Sequence, residues 1–573
     1  MSLVTTFYKS LFRDAANLFP EFEKRLMFDL SYLQKRLDSE GDNFALFSLP
    51  LLGKALETTL ITLKPFVSPC GFQLATNTVY PKFLSCFFEQ LLTPEGSPLY
   101  SHRANCQGFR DAASSLYVLR QILLSWSKCK DAECMESEEA TIASFEKRIT
   151  SPVVCSLSGK QISEIRKLIS SITHDDEGRL HPSLAQWDSD PYGRHGPGVV
   201  AGREKGKCKW SFQSIKGCDP LLYKWNRTSF IDERPAQPHA RVISVPKDFR
   251  RRRIICIEPK ELQFAQQGLM EILYDLCETS ESTRKSITFK TQAKSQKLSN
   301  VPGYSTIDLK DASDRVSLKL CRLVFRDDFF RLVTRYRSRG LLFPNGKIVK
   351  PTCFASMGSA LCFPIETIVF WAIARAATDF VQVAGSVRVF GDDIIVPTEA
   401  YDEVIKWLVA SGAVINEAKS CHMTPIREAC GTWYFGDYDC RFEKIYHRTP
   451  ASAESWLSLA KAGVRLSSNG FPLTGRAILH SCNEHSTWKV PYGHMGIPPY
   501  ESCGKSIVRL NSNIQSYEVK MPTPFLGRGR GSLTDDQALY AWIVGNDTRP
   551  SSLGTVKVEM RWTDARSLLT ELP

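Results

Sequence analysis

Val387-Arg-Val-Phe390, Gly391-Asp392-Asp393, Ile394-Ile-Val-Pro397 is the stretch on which the reading of the fold turns. Two β-branched runs flank a three-residue turn, the pattern of a β-hairpin. Gly391 can supply the unusual backbone angle that a tight tip needs. Two adjacent aspartates at such a tip, between apolar strands, repel each other and are costly to keep ionised. A divalent cation resolves that cost. Asp is also common in turns, so a solvated Asp-rich turn is the plainer alternative for the hairpin taken alone.

A second carboxylate breaks the tie. Ser305-Thr-Ile-Asp308-Leu309 reads as a short strand ending on an aspartate, where Asp308 can face the Asp392 hairpin across a sheet. The chain continues through Lys310-Asp311-Ala-Ser313-Asp314-Arg315-Val316 into a helical pattern carried by Val316, Leu320, Leu323 and Val324. Asp311, Ser313 and Asp314 also suit a helix N-terminus as caps. Asp308, Asp392 and Asp393 on neighbouring strands could bind two Mg²⁺ ions, with Mn²⁺ as a substitute. Mg²⁺ takes oxygen ligands from a few carboxylates plus substrate phosphates. Two such ions can activate an attacking hydroxyl and stabilise the leaving oxygen of a phosphoryl transfer.

Three further stretches lie in order around these aspartates. Val245-Pro246-Lys247-Asp248-Phe249-Arg250-Arg251-Arg252-Arg253-Ile254-Ile255 places four consecutive Arg between strand-like runs. Such a run suits a triphosphate or a nucleic-acid backbone, and equally a solvated charged hairpin. Phe354-Ala-Ser356-Met357-Gly358-Ser359-Ala360 is a small-residue loop ahead of a helix expected over about 362–377. Its backbone N–H groups can meet an anion, or it can be a plain tight turn. Asn416-Glu-Ala-Lys419-Ser420 puts a lysine where it could donate a proton to a pyrophosphate leaving group.

Composition sets the frame. The 573 residues carry a formal charge of +12, with 43% hydrophobic and 23% charged residues, which excludes a disordered or collagen-like chain. The excess charge is local: residues 203–297 carry a net +9 and the other 478 share +3. The 18 Cys include no CxxC pair, so reduced, mostly buried thiols are expected rather than a secreted disulfide scaffold. The N-terminus lacks a signal-peptide core, and the most apolar stretch, Cys362 to Ala377, falls short of the ~20 residues a membrane span needs. The chain is therefore read as soluble and intracellular, with no membrane partner.

Four regions are expected. Residues 1–150 are mostly helical, and 151–300 hold the basic channel. Residues 301–448 alternate short β-rich runs with long helices and form an α+β core. Residues 449–573 open helical, then become Pro/Gly-rich and irregular, and include Leu526-Gly-Arg-Gly-Arg-Gly531.

The order of basic run, strand Asp308, Ser-Met-Gly loop, Gly-Asp-Asp hairpin and Lys419 resembles that of right-handed RNA-dependent RNA polymerases. The wording is closest to the replicases of levivirus-type (Qβ-like) single-stranded RNA bacteriophages. It is carried by Val245-Pro-Lys…Arg253…Ile257-Glu258-Pro259, Thr306-Ile-Asp-Leu309 with Ala312-Ser-Asp314, and Ser356-Met-Gly358 with Glu366. Phe390-Gly-Asp-Asp-Ile-Ile395 and Arg427-Glu-Ala-Cys-Gly431 complete it. The resemblance is clear over about 190–450.

The resemblance implies a right hand of fingers (151–300), palm (301–448) and thumb (449–573), with an antiparallel palm sheet and helical terminal regions. It implies that Asp308, Asp392 and Asp393 hold the metals. Lys247, Arg250 and Arg253 line the NTP channel, and Ser313 and Asp314 lie near the incoming ribose. Ser356 and Gly358 belong to the loop that senses template and nucleotide, and Lys419 is the general acid. It further implies an RNA template, primer-independent starts, host translation elongation factors and a host RNA-binding ribosomal protein as partners, and the cytoplasm of an infected bacterium. Phe390 stands where Tyr is usual, and Ser359-Ala360 where a relative has Asn-Gly, which moves ribose selection toward Asp314. Two rivals share features of the pattern: a reverse transcriptase, which has the Asp pair, and a non-catalytic RNA-binding scaffold, which needs only the basic segment.

Overall fold

A computed structural model describes residues 2–100, 107–131, 133–196, 198–204, 209, 239–248 and 250–484, and the backbone of strands within 507–511, 516–526 and 556–564. Most of the basic stretch between 205 and 238, and the Gly-Arg residues 527–531, lie outside the described residues.

The N-terminal helices Leu3–Leu18, Glu23–Glu40, Leu49–Thr62 and Gln107–Leu124 form because apolar residues recur every three or four positions. In the first helix Val4, Phe7, Tyr8, Leu11, Phe12 and Ala15 share one buried face, and the Ser2 hydroxyl caps its start by accepting from Thr5 N (3.2 Å). The run Phe44–Thr62 is long and apolar enough to cross a bilayer, yet 67% of it is buried inside this core, as a core helix requires.

That core is not closed by the first 130 residues. It also contains Trp433, Phe435, Trp456 and Ile478. Asp14 accepts hydrogen bonds from Leu473 N (3.1 Å) and Thr474 N (2.8 Å), so a side chain of the first helix caps the helix Pro472–Glu484. A buried ion pair joins the same regions. Arg120 Nη2 lies 2.7 Å from Glu57 Oε1, and its guanidinium stacks 3.7 Å from the Trp433 ring centroid.

Thirteen described strands form four sheets. β1 (His239–Pro246) and β2 (Arg252–Ile257) make a hairpin, joined by β4 (Gly340–Leu342) and β5 (Ile348–Val349) in the order β2-β1-β4-β5. The β1–β4 pairing is parallel and the others antiparallel. The helix Glu138–Thr150 packs on this sheet through Phe145 and Ile149.

β3 (Tyr304–Ile307), β6 (Arg388–Phe390) and β7 (Asp393–Pro397) form an antiparallel sheet in the order β3-β7-β6. Its back is covered by the helix Cys362–Phe380, which is apolar nearly all round because the sheet and the helices Gly159–Thr173 and Tyr401–Ala410 enclose it. β8 (Ile426–Ala429), β9 (Thr432–Phe435) and β10 (Tyr438–Asp439) form a third, antiparallel sheet. The class is therefore mixed helix and sheet with mainly antiparallel pairing.

Two sequence readings need correction. The Gly-Asp-Asp turn has two residues, not three: Phe390 pairs with Asp393, so Asp393 belongs to β7. The region after 450 is not only helical and irregular. β11 (Ile507–Asn511), β12 (Ser516–Leu526) and β13 (Val556–Asp564) form an antiparallel sheet. Pro522 and Pro524 hid β12 from the reading. They lie beyond the pairing with β11, which ends at Lys520, where a missing N–H breaks no bond to that neighbour.

The described cysteines are free thiols, most of them buried. Burial alone would raise the Glu57 carboxyl, but Lys54 and Arg120 more than offset it and bring it from 4.5 to about 2. A depressed carboxyl stabilises the fold above pH 4.5, and that contribution is lost as the pH falls toward 2. Glu57→Gln is therefore expected to flatten the fall in melting temperature over that window. Glu57→Ala, which strands a buried guanidinium, is expected to cost about 3–5 kcal/mol in chemical denaturation.

Candidate active site

The β3-β7-β6 register builds the site. Ile307 pairs with Ile394, so Asp308, the residue that follows β3, lies beside Asp393 at the hairpin end of the sheet. Gly391 takes φ 64° at the tip, and a Cβ there would lie 2.5 Å from Phe363 Cε2. Only glycine fits both the angle and the space. Thr367 Oγ1 accepts from Gly391 N at 3.1 Å, tying the tip to the helix behind it.

Each aspartate has its own surroundings. Asp308 Oδ2 accepts from Asn416 Nδ2 (2.6 Å), and Lys419 Nζ stands 3.5 Å from Oδ1. The Leu309–Ile415 and Thr306–Cys421 bridges bring these residues in along the edge of β3. Asp393 Oδ2 accepts from Cys430 N (3.0 Å), at the tip of the β8–β9 hairpin. Burial raises the Asp393 carboxyl to about 7, with repulsion from Asp392 and Asp308 adding to it. Asp392 is raised by burial and by Asp308, while Lys419 and Lys247 pull it back. For Lys419, burial lowers the ammonium, but Glu428, Asp308 and Asp393 outweigh it and leave it raised.

Among the described residues no three His, Cys, Asp or Glu side chains converge as a ready-made metal cage. Asp308 is engaged by Asn416 and Lys419, and Asp393 by Cys430. The donor set nonetheless suits a hard cation. It consists of carboxylate oxygens, two of the three groups are raised by burial and mutual repulsion, and a dication would relieve both.

The four arginines have different tasks. The turn between β1 and β2 is built by Asp248, whose Oδ1 accepts from Arg250 N (3.0 Å) and Arg251 N (2.9 Å). Lys128 reaches its other oxygen at 3.0 Å. Arg252 is structural: its Nε donates to Ser244 Oγ (2.6 Å) and its Nη2 lies 3.3 Å from Glu138. Arg253 is exposed and has no ion-pair partner among the described residues. Lys247 reaches solvent, yet crowding by protein desolvates it, and this together with Arg253, Arg251, Lys128 and Lys419 lowers it to about 8. Burial likewise lowers the Arg250 guanidinium. The mutual influence of Lys247, Lys419 and Asp392 brings the cationic turn and the carboxylates into one field.

The Ser-Met-Gly loop docks on β2. Cys256 N donates to Met357 O (2.8 Å), and Gly358 at φ 120° lies so close that a Cβ would collide with the Cys256 carbonyl oxygen. Ser356 is buried and touches Asp314. Asp314 is raised by burial and drawn down by Arg148, whose Nε lies 2.9 Å from its Oδ2. Half-buried Ser313 contacts Cys362. Burial, then Asp392 and Asp314, raises the buried Glu366 well above the carboxylate range.

Sequence reading missed what holds these groups. Asn416, Glu428 and Cys430 lie within the motifs, but nothing in those motifs marks what they hold. Arg148 lies 166 residues before Asp314, and nothing in the local sequence marks it.

Carboxylates at the end of an antiparallel sheet, in the field of a cationic turn, form a centre whose charges suit a hard cation and phosphate groups. In sequence, residues 224–457 match the family described as RNA replicase, beta-chain. This bears out, over that stretch, the resemblance read from the motifs. The chain is 31% identical over 256 residues to the RNA-directed RNA polymerase subunit beta of Qbeta virus (strain MX1), covering 43% of this chain and 41% of that one. It is 30% identical over 269 residues to the subunit of Escherichia virus Qbeta, covering 45% of each. With Enterobacteria phage SP it shares 32% over 204 residues, 35% of this chain and 34% of the relative. The match spans less than half the length of these relatives. The RNA-dependent RNA polymerase of a human picorbirnavirus superposes with a TM-score of 0.35 at 13% identity, covering 61% of this chain and 73% of that one, a likeness too low to carry an argument.

Gly358→Ala combines an unfavourable φ with a backbone collision, whereas Gly346→Ala, at φ 82° with nothing within 4 Å, carries the φ penalty alone. Thermal unfolding is expected to show about 1 kcal/mol of loss for Gly346→Ala and a clearly larger loss for Gly358→Ala.

Proposed function

We propose that the chain is an RNA-directed RNA polymerase, the catalytic subunit of a levivirus-type replicase. It joins NTPs on a single-stranded RNA template, starting without a primer. The observation that carries this reading is the β3–β7 register, which sets Asp308 beside the Asp392-Asp393 hairpin within the field of Lys247 and Lys419. The family match over 224–457 supports it. In this reading the β3-β7-β6 sheet and its covering helices form the palm, the β1–β2 hairpin belongs to the fingers, and the region after 449 is the thumb.

Asp308, Asp392 and Asp393 would hold Mg²⁺ or Mn²⁺, which when bound supplies charge neutralisation at the transferring phosphoryl group. The chain's own residues do the rest. Lys247, Arg250 and Arg253 bind and orient the triphosphate from the cationic turn. Lys419, kept protonated by the surrounding carboxylates, donates a proton to the departing pyrophosphate. Ser313, Asp314, Ser356 and Gly358 shape the seat of the nucleotide. The host elongation factors, the ribosomal RNA-binding protein and a cytoplasmic setting in the infected bacterium belong to the same proposal.

The test is template-directed incorporation of labelled nucleotide by purified protein with Mg²⁺. Asp392→Asn is expected to lower incorporation by about two orders of magnitude or more. Incorporation at the wild-type rate by that variant would sink the reading. Lys419→Met is expected to lower kcat by about 10²–10⁴-fold with little change in the KM for NTP. An unchanged kcat would remove the lysine from proton transfer.

A further inference from the structure

Arg148 sits in the last turn of the helix Glu138–Thr150, outside the stretch that matches the family. Phe145 and Ile149 anchor that helix on the β1–β2 sheet. The Ile149 carbonyl accepts from Thr352 N (2.8 Å) and Thr352 Oγ1 (2.9 Å), pinning the helix end to the segment that leads into Ser356. The Arg148 guanidinium Nε therefore arrives 2.9 Å from Asp314 Oδ2 and 3.7 Å from Asp311 Oδ2. The Asp314 side chain is 9% exposed, and the Ser356 side chain hydrogen-bonds to it as well. A carboxylate so buried stays ionised only with a cation beside it. One of its oxygens is committed to Arg148.

The chemistry of the other oxygen follows from its position. Asp314 lies six residues after Asp308, in the short helix that follows the catalytic strand. A carboxylate repels the phosphates of a nucleotide. It matches hydrogen-bond donors, and a fixed acceptor cannot serve four different bases. The donors common to all four ribonucleotides, and nearest the α-phosphate, are the sugar hydroxyls.

We propose that Arg148 is a positioning residue for sugar selection, fixing Asp314 so that its carboxylate receives a hydroxyl of the incoming ribose. This rests on the polymerase reading above. The helical N-terminal region thereby contributes directly to the specificity of a site whose other parts lie in the matched stretch.

The test uses the full-length chain, Arg148→Gln and Arg148→Lys, with two readouts: incorporation of ATP against 2′-deoxyATP, and equilibrium binding of the same two nucleotides. Arg148→Gln is expected to shrink the preference for ATP by roughly tenfold or more. The loss should come from a raised KM for ATP, with 2′-deoxyATP little changed, and Arg148→Lys should recover part of it. A preference that is unchanged in Arg148→Gln, both nucleotides weakened equally, or no ribose preference in the wild type would overturn the proposal. Binding preference that depends on Arg148 in a protein that incorporates nothing would uphold the arginine's role and reject the polymerase reading.

Discussion

Three carboxylates gathered at one end of a three-stranded sheet repel each other, and the surrounding structure is arranged to tolerate that repulsion. β7 lies between β3 and β6, so the register alone brings Asp308 and Asp393 side by side and puts Asp392 at the turn between β7 and β6. Apolar packing of the helix Cys362–Phe380 against the back of the sheet makes that register hard to slip, because a one-residue shift would turn Ile394 and Val396 away from the core. The hydrophobic core thus holds in place a charge cluster that would not assemble by itself.

The compensation comes from distant parts of the chain. Lys419 and Asn416 reach Asp308 along the outer edge of β3, and the Cys430 peptide meets Asp393 from the β8–β9 hairpin. Lys247 contributes from the β1–β2 turn. The N-terminal helices act at longer range. Through Glu57, Arg120 and Trp433 they share a core with the β8–β9 hairpin, and Lys128, in the turn after the helix Gln107–Leu124, braces the Asp248 turn that presents the arginines. An acidic centre and a cationic turn held in one frame are the arrangement on which the proposed triphosphate chemistry rests.

The β3-β7-β6 sheet and its carboxylates were legible in the sequence because they depend on local patterns. Two β-branched runs around Gly391 and a strand ending at Asp308 announce themselves within ten residues. The cationic turn was legible as charge, but not in its division of labour. Four adjacent arginines read alike until backbone geometry commits Arg252 to Ser244 and Glu138 and leaves Arg253 exposed. Arg148 and the Cys430 peptide were illegible. Their partners, Asp314 and Asp393, lie 166 and 37 residues away, and an arginine in a helix, or a backbone N–H at a turn, carries no sequence mark of what it meets. The strand Ser516–Leu526 was hidden for the opposite reason: its prolines argue locally against a strand that the tertiary pairing accommodates.

The most direct test of the claim that the acidic and basic halves form one centre is a crystal structure of the chain with RNA, Mn²⁺ and a non-hydrolysable NTP, read by anomalous scattering. Manganese peaks held by Asp308 and the Asp392-Asp393 pair, with the triphosphate against Lys247, Arg250 and Arg253, are the expected result. Manganese absent from the three aspartates, or a triphosphate bound away from the β1–β2 turn, would contradict it.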